Sequence, residues 1–506
     1  MRHSKLRQAV QAWRSGRLFR IAARLPAPTR SIEGSAPPPL ERIAAEQLFS
    51  RIAGTSSVAG NSVHLLRDGR ENYPAWLNAI ERAEISVDFE NYIIRDDDIG
   101  RQFASMLCRK ASEGVPVRVL YDWLGCFSTP RSFWRLLREA GAEIRCFNRP
   151  RIDLPLGWLS RNHRKSLRCD DVGFVAGLCV GDMWVGGRGH AAWRDTGIEI
   201  RGPAVADMRA AFMQSWAQAG GNPPAVSIPT LGTIGPEPDI PSAGGPEVRH
   251  SGKISLRVIG SRPNTLGLYR FDQLIAGIAR HTLWLTDAYF VGTTAYVQTL
   301  CDAARDGVDV RLLVPGASDI PIAQALSRAG YRPLLEAGCR VYEWDGPMLH
   351  AKTAVADGRW ARIGSSNLNI ASWIGNWELD VAVEDDGFAG QMQAMFLEDL
   401  EYATEIVLDL GRVQPVDDRP ARRGSPGRLT AGAVGLGSAV GAAITNRRAL
   451  GPAESKVMAA GGGILVVMAT VAVLWPRVLT VPIAVAALWV ALTLLVRAWR
   501  LRRHPH

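Results

Sequence analysis

The chain has 506 residues, 47% of them hydrophobic, so it is long enough for two or three domains with ordinary buried cores. Its net charge of +10 lies at the ends: residues 1–30 carry +8 and residues 419–506 carry +11, which leaves −9 on the body. Basic ends suit contact with anionic lipid, whereas an acidic body argues against nucleic-acid binding. Seven scattered cysteines without a C-x-x-C pair argue against a disulfide framework and a structural zinc site.

From about residue 60 the pattern alternates between helices and strands. The elements predicted there are helices at 74–82 and 99–112 and strands at 85–93 and 115–120. The same order returns later, with helices at 273–279 and 295–305 and strands at 283–290 and 308–314. Two segments, CRKASEGVPVRVLYD and CDAARDGVDVRLLVP, match almost position for position, which indicates an internal duplication. Alternating elements of this kind favour a largely parallel sheet covered by helices.

The composition divides the chain into seven segments, because Pro/Gly-rich stretches separate the two α/β repeats from each other and from the C-terminal part. The predicted segments are a basic N-terminal segment 1–50, a first half 51–219, a linker 220–250, a second half 251–412, a linker 413–456, a helical hairpin 457–496 and a basic tail 497–506.

The hairpin segment consists of two uncharged 19-residue stretches, 457–475 and 478–496, separated by Pro476 and Arg477. Each stretch as a helix spans about 28 Å, close to the thickness of the bilayer core of about 30 Å. We therefore predict a transmembrane hairpin, with a buried hairpin in a soluble domain as the alternative. Basic residues flank both outer ends, so the positive-inside rule places these flanks, and the body of the chain, on the cytoplasmic side of the membrane.

Two segments fit the pattern His-x-Lys-x4-Asp, and each lies at the same place in its half of the duplication. They supply His163, Lys165, Asp170, His350, Lys352 and Asp357. A histidine and a lysine two residues apart on a strand point to the same face. If a pseudo-twofold axis relates the halves, both pairs meet at one seam, where lysines neutralise phosphate oxygens and the imidazoles act as nucleophile and general acid/base. One copy is a weak signal, but two copies in register are a strong one.

The residues that follow the two motifs are unequal. The second motif is followed by Gly364-Ser365-Ser366-Asn367, and we expect Ser365 and Asn367 to bind a substrate phosphate. In the first half, Cys179 stands at the position of Asn367. No H-E-x-x-H motif or carboxylate cluster is visible, so we expect neither a metal ion nor another cofactor.

The part of the chain from about residue 60 to residue 410, which contains both motifs, resembles the phospholipase D superfamily and, within it, the bacterial cardiolipin synthases. The resemblance also rests on the segments ENYIIRDDDIGRQF, WRDTGIEIRGPAV, DAYFV, MLHAKTAVAD and IGSSNLNIASWIGNWELDVAV. It implies an α/β fold of two phospholipase D-like α-β-α sandwich halves related by a pseudo-twofold axis. This chain departs from the family at Cys179, where the family usually has Asn. It also departs in the C-terminal position of its predicted membrane segments.

The resemblance also implies roles for individual residues. His163 would be the nucleophile and His350 the general acid/base, in a metal-independent transfer through a phosphohistidine. Lys165, Lys352 and Asn367 would contact the phosphate. Asp195 and Glu378 match the acids that orient the two histidines. Asp170 and Asp357 belong to the catalytic motif, and we expect them to support the structure.

The function implied is a membrane phosphatidyltransferase that joins two phosphatidylglycerol molecules and releases glycerol. We expect it at the bacterial inner membrane, with its catalytic domain on the cytoplasmic side. One alternative is a hydrolase on the same scaffold, a phospholipase D or another phosphodiesterase such as a nuclease. Another alternative is a membrane-bound binding protein with an inactive site, which the intact His and Lys of both motifs disfavour. We expect a phospholipid partner and no nucleic acid, while the acceptor and the oligomeric state stay open.

Overall fold

The computed structural model describes residues 40–150, 160–220 apart from 188, 250–409, 412–413 and scattered positions between 463 and 492. The helices are α1 (Leu40–Ala53), α2 (Asp68–Arg82), α3 (Asp98–Ser112), α4 (Arg131–Glu139), α5 (Ala204–Ala219), α6 (Gly267–Ile278), α7 (Thr294–Arg305), α8 (Pro321–Ala329), α9 (Tyr331–Glu336) and α10 (Asp386–Leu400). The strands of the first half are β1 (Val58–Arg67), β2 (Val87–Asn91), β3 (Val117–Asp122), β4 (Glu143–Phe147), β5 (Ser166–Cys169), β6 (Val172–Ala176) and β7 (Thr196–Arg201). Those of the second half are β8 (Ile254–Ser261), β9 (Thr282–Thr286), β10 (Asp309–Pro315), β11 (Arg340–Trp344), β12 (Thr353–Ala356), β13 (Trp360–Gly364), β14 (Glu378–Glu384), β15 (Ala403–Ile406), β16 (Leu408–Asp409) and β17 (Arg412–Val413).

Fifteen strands form one continuous sheet in the order β15-β11-β10-β9-β12-β13-β14-β8-β1-β7-β6-β5-β2-β3-β4. Corresponding strands of the two halves follow the same order outward from the central β1–β8 pair, which is antiparallel. The predicted duplication is therefore present as two halves joined edge to edge around a pseudo-twofold axis. Strand β15 extends the second half only, where it pairs with β11.

The prediction of a largely parallel sheet is wrong for most of the strand pairs. Only β2–β3–β4 and β9–β10–β11 are parallel, and helices connect the successive strands within each of these two sets. The strands between them and the centre are antiparallel. Tight turns join β5 to β6 and β12 to β13, and such short connections only permit antiparallel pairing.

Helices cover both faces of the sheet, as the burial of consecutive strand residues shows. Val119 on β3 belongs to the apolar cluster that α2, α3 and α4 cover, whereas its neighbour Leu120 packs in the cluster of α5. In the second half, Leu312 and Leu313 on β10 divide in the same way between the cluster of α6 and α7 and that of α10. Consecutive side chains of a strand point to opposite faces, so both faces need an apolar cover.

The predicted membrane hairpin at 457–496 lies mostly outside the described residues, as do the N-terminal segment up to residue 39 and most of both linkers. The scattered positions described between 463 and 492 are helical and exposed. Within the part of the chain that the structure describes, no helix is long and apolar enough to span a bilayer.

Candidate active site

Each histidine-bearing segment pairs through its backbone with the opposite half. The amide of His163 donates to the carbonyl of Trp377 at 2.9 Å, and the amide of His350 donates to the carbonyl of Arg194 at 2.7 Å. The residue that follows Trp377 is an acid, and so is the residue that follows Arg194. The backbone pairing therefore places an acid of one half beside the histidine of the other.

The side chains complete this crossed arrangement. Nδ1 of His163 lies 2.9 and 3.0 Å from the two carboxylate oxygens of Glu378. Nδ1 of His350 lies 2.7 Å from Oδ2 of Asp195. Both carboxylates are fully buried. Each acid holds the Nδ1 side of one imidazole, which leaves Nε2 for the reaction.

Burial sets the protonation of these pairs. It lowers the pKa of His163 to about 4 and that of His350 to about 3, although the bonded carboxylates oppose the shift. Burial raises the pKa of Asp195 and Glu378, but the bonded histidines, the motif lysines and further hydrogen bonds together outweigh it, and both pKa values end below the usual range. At neutral pH each pair is thus a neutral imidazole whose Nδ1–H donates to a carboxylate, with a lone pair on Nε2.

The two motif lysines are both buried. Nζ of Lys165 donates to the backbone carbonyl of its own motif histidine at 2.6 Å, and Lys352 makes the same bond in the second half. Burial lowers the pKa of both amines, that of Lys352 to about 8. The rings of Tyr92 and Tyr289 lie 5.3 and 5.8 Å from these two amines. An ammonium group has three donors, so the bond to the carbonyl leaves two for a phosphate.

Each orienting carboxylate has a second side-chain donor. Oγ of Ser365 donates to Oε2 of Glu378 at 2.6 Å, and Nε1 of Trp184 donates to Oδ2 of Asp195 at 3.0 Å. The expectation that Ser365 binds phosphate is not supported by its position, because Ser365 is fully buried behind Glu378 and does not line the cleft. Its hydroxyl instead fixes the carboxylate that holds His163.

The third residues of the motifs lie away from the histidines. Asp170 and Asp357 occupy the turns after β5 and β12, both with φ of +52°. Asp170 accepts the backbone amides of residues 84–86, and Asp357 accepts those of residues 280–282. Neither side chain reaches the cleft. These bonds tie each turn to the start of a neighbouring strand.

Both histidines line one cleft of about 770 Å³, part of which is open to solvent. Sequence reasoning missed several residues of its wall, namely Tyr92, Arg161, Met183, Trp184, Trp193, Tyr289, Asp319 and Ile320. A signal for Tyr92 and Tyr289 was present, because both follow the corresponding strands β2 and β9 in the duplicated frame. No comparable repeat marks Arg161 or Asp319.

Asn367 and Cys179 both line the cleft, as their equivalent positions predict. Oδ1 of Asn367 is buried without a hydrogen-bond partner among the residues that the structure describes. Burial raises the pKa of the Cys179 thiol, so Cys179 is a neutral thiol at physiological pH. An amide can donate two strong hydrogen bonds to a phosphate, whereas a thiol is a weak donor.

We therefore expect Asn367→Ala to reduce kcat/KM about tenfold or more, because a hydrogen bond to a charged group is lost. Cys179→Ala should reduce kcat/KM less than about threefold. Initial rates with a water-soluble phosphodiester measure both values. Equal losses would show that the two positions carry similar weight and would contradict an unequal phosphate site.

Comparisons with known proteins identify the family. A family profile described as "Cardiolipin synthase, PLD-like domain" matches residues 274–400. The cardiolipin synthase of Alkalihalophilus pseudofirmus is 32% identical over 380 residues, which are 73% of each chain. Cardiolipin synthase A of Pseudomonas putida is 33% identical over 399 residues, 76% of this chain and 78% of the relative. The chain belongs to the cardiolipin synthase family.

It is accordingly a phospholipase D-type enzyme with the α/β fold of that superfamily. A solved structure supports the fold independently of close sequence similarity. The crystal structure of phosphatidylserine synthase from Haemophilus influenzae superposes with a TM-score of 0.54 at 15% identity, over 72% of this chain and 91% of the other. At that identity the likeness concerns the fold alone.

Proposed function

We propose that this family member transfers a phosphatidyl group from one phosphatidylglycerol molecule to another, forming cardiolipin and releasing glycerol. The observation that carries the proposal is the pair of histidines in one cleft, each held at Nδ1 by a buried acid of the opposite half. Such a pair can divide one difficult displacement into two steps through a covalent intermediate. The names of the relatives support the choice of lipid substrate.

In the first step, neutral His163 attacks phosphorus through Nε2, and the bond from phosphorus to the glycerol oxygen breaks. His350, as imidazolium, gives its proton to that oxygen, so glycerol leaves as a neutral alcohol. In the empty site His350 is neutral, since burial lowers its pKa to about 3. The negative charge of a bound phosphodiester raises this pKa and allows His350 to hold the proton.

In the second step, neutral His350 accepts the proton of an acceptor hydroxyl, whose oxygen attacks phosphorus. The phosphorus–nitrogen bond breaks, and its electron pair returns to Nε2 of His163. Lys165, Lys352 and Asn367 stabilise the charge on the non-bridging oxygens in both steps. Water or an alcohol can serve as acceptor on this scaffold, and the proposal is that the hydroxyl of a second phosphatidylglycerol is preferred.

Purified protein in detergent micelles of phosphatidylglycerol tests the proposal. We expect cardiolipin and glycerol in equal amounts, and a phosphorus label on the protein that resists base and is lost in acid, as expected for phosphohistidine. The reaction should proceed in the presence of EDTA. Phosphatidic acid as the sole lipid product would instead assign a hydrolase.

We also propose that segment 457–496 anchors the protein in the membrane, with the catalytic halves on the cytoplasmic side. The two uncharged stretches and their basic flanks support this arrangement. Full-length protein in a membrane fraction should resist extraction by alkaline carbonate, whereas a truncation after residue 412 should be released by high salt. Extraction of the full-length protein by carbonate would contradict the anchor.

A further inference from the structure

The segment that carries Asp195 is anchored by the arginine that precedes it. The guanidinium of Arg194 forms a bidentate pair with Asp399 on α10, with Nε and Nη2 lying 2.8 and 2.9 Å from the two carboxylate oxygens. Its Nη1 lies 3.1 Å from Oδ1 of Asp68, the first residue of α2. Arg194 is 7% exposed. Because Asp68 belongs to the first half and Asp399 to the second, this arginine ties the two halves together.

The same group of side chains fixes the backbone of Asp195. The amide of Asp195 donates to Oδ1 of Asp68 at 2.8 Å, and the amide of Asp68 donates to the carbonyl of Asp195 at 3.0 Å. Nη1 of Arg194 donates to that carbonyl as well. Both backbone polar groups of Asp195 are therefore bonded, and the place of its carboxylate is set by this contact between α2, α10 and the arginine.

The backbone of Arg194 also holds the segment that carries His350. Its amide donates to the carbonyl of Met348 at 2.9 Å, and its carbonyl accepts the amide of His350 at 2.7 Å. An anchored Arg194 thus fixes the histidine through the backbone and the orienting acid through the chain. Both members of the His350–Asp195 pair depend on the position of one residue, which itself does not line the cleft.

The other histidine–acid pair has the same backbone frame but a different anchor. Trp377 occupies the position of Arg194, since its carbonyl accepts the amide of His163 and an acid follows it. The Trp377 ring is held by packing: it lies 5.7 Å from the ring of Phe147 and 5.1 Å from the guanidinium of Arg164. Loss of the ionic anchor should therefore disturb one pair and leave the other in place.

We propose that Arg194 is a positioning residue for the His350–Asp195 pair, which it aligns through its bonds to Asp399 and Asp68. It carries no proton and contacts no reacting atom; its effect on the rate passes through the histidine and the acid. This inference rests on the proposed function, because the two steps that report on it are those assigned to the two histidines.

The test compares Arg194→Gln in two assays, turnover of phosphatidylglycerol and formation of the phosphoenzyme from a p-nitrophenyl phosphodiester. We expect turnover to fall about a hundredfold, because a small displacement of a proton donor has an effect of that order. Labelling from the nitrophenyl donor should change less than about threefold, because its leaving group needs little help from a general acid. Arg194→Lys keeps the charge but not the bidentate geometry, so turnover should fall about tenfold.

Two further variants separate positioning from general loss of structure. In a protein that already carries His350→Ala, adding Arg194→Gln should lower the residual turnover no further, because the arginine acts through that histidine. The matched control is Arg257→Gln on β8, a buried arginine paired with Glu46 at 2.5 Å, which should lower the Tm and leave both assays unchanged.

Wild-type turnover in Arg194→Gln would overturn the proposal, and so would a further loss in the double variant. Loss of the label in Arg194→Gln while His350→Ala retains it would overturn the proposal as well. Failure of the proposed function has other signs. Phosphatidic acid in place of cardiolipin would change the acceptor only, and reversed roles of the histidines would remove the label from His350→Ala and Arg194→Gln alike.

Discussion

Replacing His163 with alanine is expected to abolish phosphoenzyme formation from every donor and to lower turnover by at least about a thousandfold, because no other group can take the place of the attacking nitrogen. The measurement is the covalent label left on the protein by a phosphorus-labelled donor. Label on the His163→Ala protein at the wild-type level would show that another residue is the nucleophile.

His350→Ala should have a similar effect on turnover with phosphatidylglycerol but a different effect on the first step. A p-nitrophenyl phosphodiester releases a stable anion that needs no proton, so a general acid contributes little to its departure. We expect His350→Ala to form the phosphoenzyme from this donor and to accumulate it, because no base then activates the acceptor.

His64, an exposed histidine on β1, provides the control, since His64→Ala should retain full activity. Circular dichroism and the Tm of each variant establish that its fold is intact. If both cleft variants lost the label with both donors, the division of roles between His163 and His350 would be wrong.

The second large effect concerns the carboxylates, each of which should share the phenotype of the histidine it bonds. Glu378→Gln should block labelling from both donors, as His163→Ala does, and Asp195→Asn should allow labelling from the nitrophenyl donor, as His350→Ala does. An amide can hold the imidazole in the wrong tautomer, and losses of about a hundredfold to ten-thousandfold follow from such a change.

Asp386→Asn is the matched control, because that side chain is 67% exposed at the start of α10. The informative outcome is the pairing of phenotypes across the halves. If Asp195→Asn resembled His163→Ala, each acid would serve the histidine of its own half, contrary to the bond of 2.7 Å between Asp195 and His350.

Part of the fold could be predicted from sequence because local patterns repeat. The helices and strands around residues 74–120 and 273–314 were found within a few residues of their ends, apart from α2, which begins at Asp68, and α6, which begins at Gly267. Strand direction was not predictable in the same way. The short strands β5, β6, β12 and β13 are buried throughout and lack an alternation of polar and apolar residues. Their sequence therefore gives little indication that they pair as antiparallel hairpins.

The sequence indicated both histidines of the cleft, but neither most of the cleft wall nor which acid bonds which histidine. Both histidines, Asn367 and Cys179 line it, as their spacing in the duplicated frame predicts. The pairing of each acid with the opposite half depends on backbone contacts between distant segments, which no local spacing records. The sequence shows only that the Ser365 hydroxyl lies near the motif, where a phosphate is one of several possible partners. The packing of the fold determines that this hydroxyl donates to Glu378.

The crossed histidine–acid pairs carry an evolutionary consequence. A polypeptide with only one of these halves has a nucleophile without its acid, so an ancestor of that size could work only as a pair of identical chains that exchanged carboxylates across their contact. Fusion of two such genes freed the copies to differ. The difference between Asn367 and Cys179 at equivalent positions is one that identical chains could not have acquired separately. The two orienting acids also differ, Asp195 in one half and Glu378 in the other, but both are carboxylates, since loss of the acid in one copy would disable the histidine encoded by the other.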